Sequence, residues 1–155
     1  MLHLIPAPLH RLGLRIAHAL RQRLRRLTRP DIAGVAVMLE DGDGRVLLVR
    51  HSYGPRGWSL PGGGLGKGEN PVEAARREMR EELGCELEAV KCVLVAQEVL
   101  SGAPHTAHVF TARPLSEPRA DQREIDALRW IVRDELAQAD LTRVTRRRLG
   151  ELGLL

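Results

Sequence analysis

Residues 63–85 read GGLGKGENPVEAARREMREELGC, a glycine-rich run that leads directly into a strongly marked helix. Asn70 can cap this helix through its side chain, and Pro71 suits the first helical position. Gly84 suits the left-handed position that ends a helix. We therefore predict a helix from about Pro71 to Leu83.

A helical wheel at about 100° per residue divides this helix into three arcs. The apolar arc, which should face the core, consists of Val72, Ala75, Met79 and Leu83. The basic arc consists of Arg76, Arg77 and Arg80. The acidic arc borders the apolar one and consists of Glu78, Glu81 and Glu82. Like charges three or four residues apart repel, and carboxylates in the last turn oppose the helix dipole. A solvated face would tolerate this arrangement, but the position beside the core favours a bound Mg²⁺ or Mn²⁺, which prefer oxygen ligands.

The composition is that of one soluble globular domain, with 155 residues, 43% hydrophobic and 28% charged. The net charge is +4, but residues 1–30 contain seven arginines and no acid, so the remaining chain carries −3. The basic character therefore belongs to the N-terminal segment and does not indicate a nucleic-acid-binding domain. Cys85 and Cys92 lack metal-type spacing, which predicts reduced thiols and a cytoplasmic location. We expect neither a secretory signal nor a membrane-spanning segment.

The N-terminal segment, residues 1–30, is predicted to be a basic amphipathic helix accessory to the main domain. Apolar side chains recur at three- and four-residue steps, at Leu9, Leu12, Ile16, Leu20, Leu24 and Leu27. This stripe could pack on its own domain or in a homodimer. Alternatively, residues 9–29 could dock on an anionic membrane. Nucleic-acid contact is disfavoured because no aromatic side chain lies among the arginines.

The remaining pattern predicts strands interleaved with helices, and therefore an α/β (α+β) fold. Strands are expected at Ile32–Leu39, at Val46–Val49, at Leu87–Leu100 (long or bent), at His105–Ala112 and in the sequence IDALRWIV that begins at residue 125. The glycine-rich stretch before the helix and residues 113–124 should be loops, and two short helices should complete the chain.

The stretch from Gly63 also fits a longer pattern, G-x5-E-x7-R-E-U-x-E-E-x-G-U, in which U is apolar. Its positions are filled by Gly63, Glu69, Arg77, Glu78, Met79, Glu81, Glu82, Gly84 and Cys85. This resembles the Nudix box of the Nudix hydrolases, with Cys85 where the family usually has an aliphatic residue. The sequences VLLVRH, WSLPGGG and DALRWI also resemble family elements. The resemblance covers about residues 32–135, and we assign residues 31–155 to a Nudix domain.

The resemblance implies an α/β/α sandwich with a mixed sheet. It also implies metal-dependent hydrolysis of a diphosphate bond in a nucleoside diphosphate linked to another moiety. Glu78, Glu81 and Glu82 would bind Mg²⁺ or Mn²⁺, with a further ligand from the Gly63 carbonyl, and Glu81 and Glu82 would take part in catalysis. Gly62 and Gly63 would contact substrate. Arg77 would pair with Glu69 and orient the helix against its loop.

The general base could be a box glutamate or an acid outside the box. Among the outside acids we favour Glu124 over Glu98, Glu117 and Asp121. Arg50 could contact phosphate. Trp58 is expected to lie in the core or form a wall of the site rather than to stack on a base. Tyr53 could belong to a lid, and His105 and His108 are interpreted as structural.

Two alternatives stay open for the function. A Nudix-fold module that binds nucleotide or regulates without turnover is disfavoured because all three helix carboxylates are present. An RNA 5′-end pyrophosphohydrolase is disfavoured because WSLPGGG lacks the glutamine found in that branch. The Pro or Tyr that usually marks the ADP-ribose and dinucleoside-polyphosphate branches is absent at positions 100–103. The sequence therefore indicates a small nucleotide-derived substrate without naming it.

Overall fold

The computed structural model describes residues 9, 12–14, 16–17 and 32–155. Six strands follow from residue 32, namely β1 (Ile32–Leu39), β2 (Val46–His51), β3 (Gly62–Gly64), β4 (Leu87–Leu100), β5 (Ala103–Pro114) and β6 (Ile125–Ile131). The helical elements are α1 (Pro71–Leu83), a 3₁₀ helix (Arg133–Gln138) and α2 (Arg143–Glu151).

The strands form two sheets. The larger sheet has the order β3-β1-β5-β4, in which β1 and β5 are parallel and the other neighbours are antiparallel. The smaller sheet is the antiparallel pair β2-β6. The mixed sheet predicted from the family resemblance is confirmed.

The sheet is buried on both faces because successive side chains of a strand point to opposite sides. Alternate residues of β1, such as Val37, join a core cluster that includes Met79 and Leu83 of α1. The intervening residues, such as Met38, join a second cluster that includes Leu149 of α2. Each fully buried side chain of this size stabilises the fold by about 1.5–3 kcal/mol. The result is the expected α/β/α sandwich, with α1 and α2 on opposite faces.

The structure differs from the sequence-based expectation at β3. The glycine-rich stretch was predicted to be a loop, and this is wrong for Gly62–Gly64, which pairs with Gly34–Ala36 of β1. Glycine has a low strand propensity, so this strand depends on its tertiary partner for backbone hydrogen bonds. One of the two short C-terminal helices is a 3₁₀ helix, and β4 is bent by register shifts within Glu88–Leu94, as expected of a long strand.

The described residues between 9 and 17 are helical, and three of them, Leu9, Leu12 and Ile16, are exposed apolar residues. These fit the predicted amphipathic pattern. The rest of the predicted N-terminal helix lies outside the described residues. Within the described residues, no helix combines the length and the apolar composition needed to cross a membrane.

Candidate active site

The position of the acidic arc is set by the two ends of α1. The Asn70 side chain accepts a hydrogen bond from the Val72 N–H at 2.9 Å, and Pro71 occupies the first turn. At the other end Gly84 takes the left-handed conformation, with φ of 62°, and its N–H reaches the Arg80 carbonyl. These caps agree with the sequence prediction. They fix the helix length and therefore the angle at which each glutamate leaves it.

Arg77 connects this helix to the preceding glycine-rich segment. Its guanidinium donates two hydrogen bonds to the Glu69 carboxylate, at 2.9 and 3.0 Å, and a third to the Gly64 carbonyl at 3.0 Å. Glu69 in turn accepts from the Gly66 N–H at 2.8 Å. The bonds from Arg77 lower the pKa of Glu69 to about 2, so this carboxylate is ionised at neutral pH. The pair therefore holds the loop against the helix in a fixed geometry.

Two of the helix carboxylates pack against β3, Glu82 fully buried and Glu78 partly buried. Glu82 is only 4% exposed, and its carboxylate accepts the Gly62 N–H at 3.2 Å. Burial, followed by the charge of Glu78, raises its pKa well above the usual value. Burial also raises the pKa of Glu78, although a 2.7 Å hydrogen bond from Arg77 opposes this shift. Within the described chain, no arginine, lysine or histidine forms an ion pair with Glu82. The ionised forms of these two carboxylates are therefore only partly compensated within the site.

Glycine is needed in β3 for two steric reasons. Gly62 has φ of +148°, and a Cβ there would lie 2.1 Å from the Val35 carbonyl oxygen. A Cβ at Gly63 would lie 2.5 Å from the Glu78 carboxylate. The absence of side chains therefore allows the acidic face of α1 to approach the backbone of the edge strand.

Glu81 lies apart from the other two acids. Its side chain is 61% exposed, and its nearest cationic partner is Arg77 at 3.4 Å. Among the described residues, no three Asp, Glu, His or Cys side chains are grouped closely enough to hold one metal ion as they stand. The donor set nevertheless fits a hard divalent cation, since buried carboxylate oxygens that repel one another are stabilised by such an ion. Glu81 would have to rotate towards Glu78 and Glu82 to join them.

The loop before β6 brings a fourth acid to the same place. The Asp121 carboxylate accepts the backbone N–H groups of residues 123, 124 and 125 at 2.9–3.0 Å and so shapes this loop. The Tyr53 hydroxyl donates to Glu124 at 3.2 Å. After burial, the charge of Glu124 is among the factors that raise the pKa of both Glu78 and Glu82. The fold therefore places Glu124 beside the acidic face of α1.

Comparison with known proteins identifies the family. A model of the NUDIX domain matches residues 30–151. The chain belongs to the Nudix family. A solved structure of a MutT NUDIX hydrolase from Burkholderia pseudomallei is 32% identical, with a TM-score of 0.69 over 78% of this chain and 97% of that chain.

Curated Nudix relatives match over shorter segments. An RNA pyrophosphohydrolase of Rhodospirillum rubrum is 45% identical over 55 residues, which is 36% of this chain and 33% of the relative. An ADP-ribose pyrophosphatase of Mycobacterium tuberculosis is 37% identical over 100 residues, which is 59% of this chain and 48% of the relative. The chain thus spans a third to a half of the length of these two relatives.

A cavity of about 320 Å³ lies on the other side of β3 from the helix acids. Its lining includes Gly62–Gly64, Tyr53, Leu60, Leu100, His105 and the start of α2. Gly62–Gly64 therefore borders both the mostly apolar cavity and the acidic face of α1. A molecule held in the cavity could pass over this strand and present its phosphates to the acids.

Several predicted site residues are not among the described residues that line the cavity. The Arg50 guanidinium lies 5.6 Å from the centre of the Trp58 ring, and neither residue is among the described residues that line the cavity. Trp58 packs against the core cluster on the α2 side. Glu117 is exposed on its loop, and Glu98 is buried in a cluster with His105 and two arginines. Of the four acids outside the Nudix box, Glu124 and Asp121 are therefore the two that lie near its glutamates.

His105 lines the cavity, although the sequence analysis interprets it as structural. The strand pattern gave no sign that it faces the cavity, because its neighbours there come from distant parts of the chain. The one available signal was its alternation with Ala107 and Val109, which share its face of β5.

Proposed function

We propose that this protein is a Nudix pyrophosphohydrolase that cleaves a diphosphate bond in a nucleoside diphosphate linked to another moiety. The observation that carries the proposal is a pair of neighbouring carboxylates packed against a strand without side chains, buried Glu82 and partly buried Glu78. Buried charge of this kind is costly unless a cation compensates it. Phosphate groups bound through divalent metal are the usual partners of such a site.

The metal is assigned as Mg²⁺ or Mn²⁺, held by Glu78, Glu81 and Glu82 with the Gly63 carbonyl as a further ligand. These ions bind oxygen ligands and retain water molecules, which leaves positions for phosphate oxygens. The ion held by these residues would neutralise the diphosphate and favour deprotonation of the attacking water. A side chain of the protein would have to accept that proton.

Glu124 is proposed as this acceptor, acting as the general base. Its carboxylate lies beside the acidic face of α1, and the Tyr53 hydroxyl orients one of its oxygens. Asp121 fixes the loop by accepting three backbone N–H groups. A base must be held within reach of the water that it deprotonates. This loop geometry provides a position for it that does not depend on the metal ligands.

The nucleoside part of the substrate is assigned to the cavity behind β3. A volume of about 320 Å³ lies at the lower end of the range for small-molecule sites. The described lining contains no Trp or Phe, so a base would be held by apolar contacts and hydrogen bonds rather than between two large aromatic rings.

The RNA 5′ end is a second candidate substrate, favoured by one observation. A curated relative from Rhodospirillum rubrum with 45% identity is an RNA pyrophosphohydrolase, although the match covers only 36% of this chain. The same chemistry would apply, since a 5′-triphosphate contains the same kind of anhydride bond.

A substrate screen tests these assignments. Purified protein is incubated with ADP-ribose, NADH, nucleoside triphosphates and a short 5′-triphosphorylated RNA, with Mg²⁺, Mn²⁺ or EDTA. Release of phosphate, pyrophosphate or nucleotide that requires the metal supports the proposal. Binding of nucleotides without release of product under any metal condition would favour the module without turnover.

We further propose that residues 31–155 are the catalytic unit and that residues 1–30 are accessory. The family match begins at residue 30 and so excludes nearly all of the N-terminal segment. Exposed Leu9, Leu12 and Ile16 form an apolar stripe that could bind a second copy of the chain or an anionic membrane. A cytoplasmic location is also proposed, supported by two free cysteines.

Deletion of residues 1–29 tests the accessory role. Turnover of the best small substrate should stay within about twofold. A membrane role predicts that binding of the full chain to anionic vesicles falls with salt and is lost on deletion. A dimer role predicts instead a change in oligomeric state. Loss of turnover in a truncated protein that still folds would contradict the separation of the two parts.

A further inference from the structure

A buried polar cluster joins three elements at the cavity wall. Glu98 of β4, His105 of β5, and Arg147 and Arg148 of α2 form it. Both arginines donate to the Glu98 carboxylate, and the His105 Nδ1 lies 3.1 Å from the same carboxylate. His105 and Arg148 also line the cavity. The cluster therefore ties the edge hairpin to α2 and has one side on the cavity.

The His105 ring is wedged beside β3. It is only 7% exposed, and its Nε2 lies 3.0 Å from the position that a Cβ would occupy at Gly34. The Gly63 carbonyl oxygen lies 2.9 Å from that same position. Glycine at position 34 thus allows the imidazole to approach the backbone. The second ring nitrogen adjoins the point where the cavity meets β3.

The partners of Glu98 determine which ring nitrogen carries the proton. Burial alone would raise the pKa of Glu98, but hydrogen bonds from His105 and Arg148 and the charges of both arginines hold it at about 2. An ionised carboxylate only accepts hydrogen bonds, so the His105 Nδ1 must be the donor. In the neutral ring, Nε2 is then an acceptor, and it is the remaining polar atom of this side chain.

We propose that His105 is a specificity-determining residue, whose Nε2 accepts a hydrogen bond from an N–H or O–H group on the nucleoside part of the substrate. Glu98 is a positioning residue that fixes the tautomer and the angle of the ring. This inference rests on the proposed function and deepens it. The substrates favoured would be nucleotides with a hydroxyl or amino group that reaches Nε2, and analogues without that group would leave a buried acceptor unpaired.

The position of the cluster supports this role over a purely structural one. Two arginines already neutralise Glu98 and cross-link α2 to β4 without any contribution from the imidazole. His105 and Arg148 also line the cavity, so the imidazole lies where a bound molecule could reach it. The donor could be a sugar hydroxyl or a base amino group, and the two are separated by the choice of analogue.

The test compares kcat/KM for nucleotides that differ by one donor. ATP is compared with 2′-deoxy-ATP and 3′-deoxy-ATP for the sugar, and with purine riboside triphosphate for the 6-amino group. GTP is compared with ITP for the 2-amino group. The variants are His105→Phe, which keeps a ring without nitrogens, and His105→Gln as a second variant in case the first does not fold. The matched control is His108→Phe, on the opposite face of the same strand.

We expect the wild-type protein to discriminate by about 10- to 100-fold against one analogue, the range for an unpaired buried acceptor. His105→Phe should reduce this ratio to within about twofold, mainly by slowing the parent nucleotide. His108→Phe should keep the wild-type ratio. A kcat/KM ratio that is the same in the wild type and in both His105 variants overturns the proposal. Equal kcat/KM values of the wild type for every nucleotide and its analogue overturn it as well.

A second measurement does not depend on turnover. Long-range ¹H–¹⁵N spectra of the imidazole groups, assigned by the signal lost in His105→Phe, should show His105 with its proton on Nδ1. ATP with Mg²⁺ should shift the Nε2 resonance of the wild-type protein. If no nucleotide is hydrolysed, the proposed function fails, and this titration alone decides the role of His105. A proton on Nε2, or no shift with any nucleotide, would overturn the inference.

Discussion

Glu82 and Glu98 are both almost fully buried, yet their surroundings are opposite in charge. Glu98 is contacted by two arginines and a histidine, and its pKa is held at about 2. Glu82 has a backbone N–H and other acids around it, and burial raises its pKa well above the usual value. Burial is therefore the same in the two places, and the counter-charge decides the state of the carboxylate.

The difference separates structural charge from functional charge. The cluster around Glu98 is complete within the protein, so it can cross-link elements and hold a side chain at a fixed angle. The group around Glu82 contains no counter-charge for that carboxylate among the described residues, which is why we propose it as the cation site. Perturbed carboxylates of the second kind mark functional sites more often than those of the first.

The largest expected effect is on catalysis by Glu82→Gln. Removing a proposed metal ligand should lower kcat by more than about 100-fold, beyond the range found for groups that only orient metal ligands. The fold should be retained, because the amide oxygen can still accept the Gly62 N–H. Steady-state kinetics on the best substrate and circular dichroism measure the two effects. Turnover close to wild type would remove Glu82 from the metal site.

The next effect is stabilisation by metal. Mg²⁺ at about 100 times its dissociation constant should stabilise the protein by about 2.7 kcal/mol through binding linkage. The shift should be visible as a higher Tm against an EDTA control. It should be much smaller in Glu82→Gln and unchanged in Glu98→Gln. An equal shift in all three proteins would show that the metal binds elsewhere.

Replacement of Glu98 should act on stability. Glu98→Gln should destabilise by about 1–3 kcal/mol, because Arg147 and Arg148 lose the buried charge of their carboxylate partner. The matched control is Glu151→Gln, which removes the exposed 3.8 Å pair with Arg147 and should change stability by less than about 0.5 kcal/mol. Chemical denaturation measures both. Equal losses of stability in Glu98→Gln and Glu151→Gln would show that the ion pairs of Glu98 contribute no more to stability than an exposed pair.

The smallest effect is on the pH dependence of stability, and its sign should differ between the two sites. The folded-state pKa of Glu98 is lowered, so its contribution is present above about pH 4.5 and is lost as the pH falls towards 2. The folded-state pKa of Glu82 is raised, so the metal-free protein should lose stability as the pH rises above about 4.5. Each proton contributes at most about 1.4 kcal/mol per pH unit.

Melting curves in EDTA across this range, on wild type and the two glutamine variants, test the signs. Glu98→Gln should flatten the acid limb, and Glu82→Gln should flatten the limb above pH 4.5. A wild-type curve that rises above pH 4.5 as steeply as that of Glu82→Gln would contradict a buried, uncompensated Glu82.

Most of helix α1 was predictable because its signals are local. The Asn70 cap, Pro71 and Gly84 act within a few residues, and the 3.6-residue period places Met79 and Leu83 towards the core. The acidic arc, the box pattern and the family followed from the same stretch. The Glu69–Arg77 pair, eight residues apart, followed only from the family resemblance.

The tertiary structure decided everything that depends on strand pairing and loop position. Gly62–Gly64 becomes a strand because β1 supplies its partners, which no local propensity indicates. Glu124 reaches the acids because Asp121 shapes its loop, and the sequence alone could only favour it among four candidates.

The sequence by itself determined helix α1, its apolar, basic and acidic arcs, and the family. Only the tertiary structure decided which buried carboxylates are compensated. Glu98 meets Arg147 and Arg148 from about 50 residues further along the chain, and His105 meets Gly34 across two paired strands. Charge compensation depends on distances of a few ångströms between such remote groups, and a sequence pattern does not specify those distances.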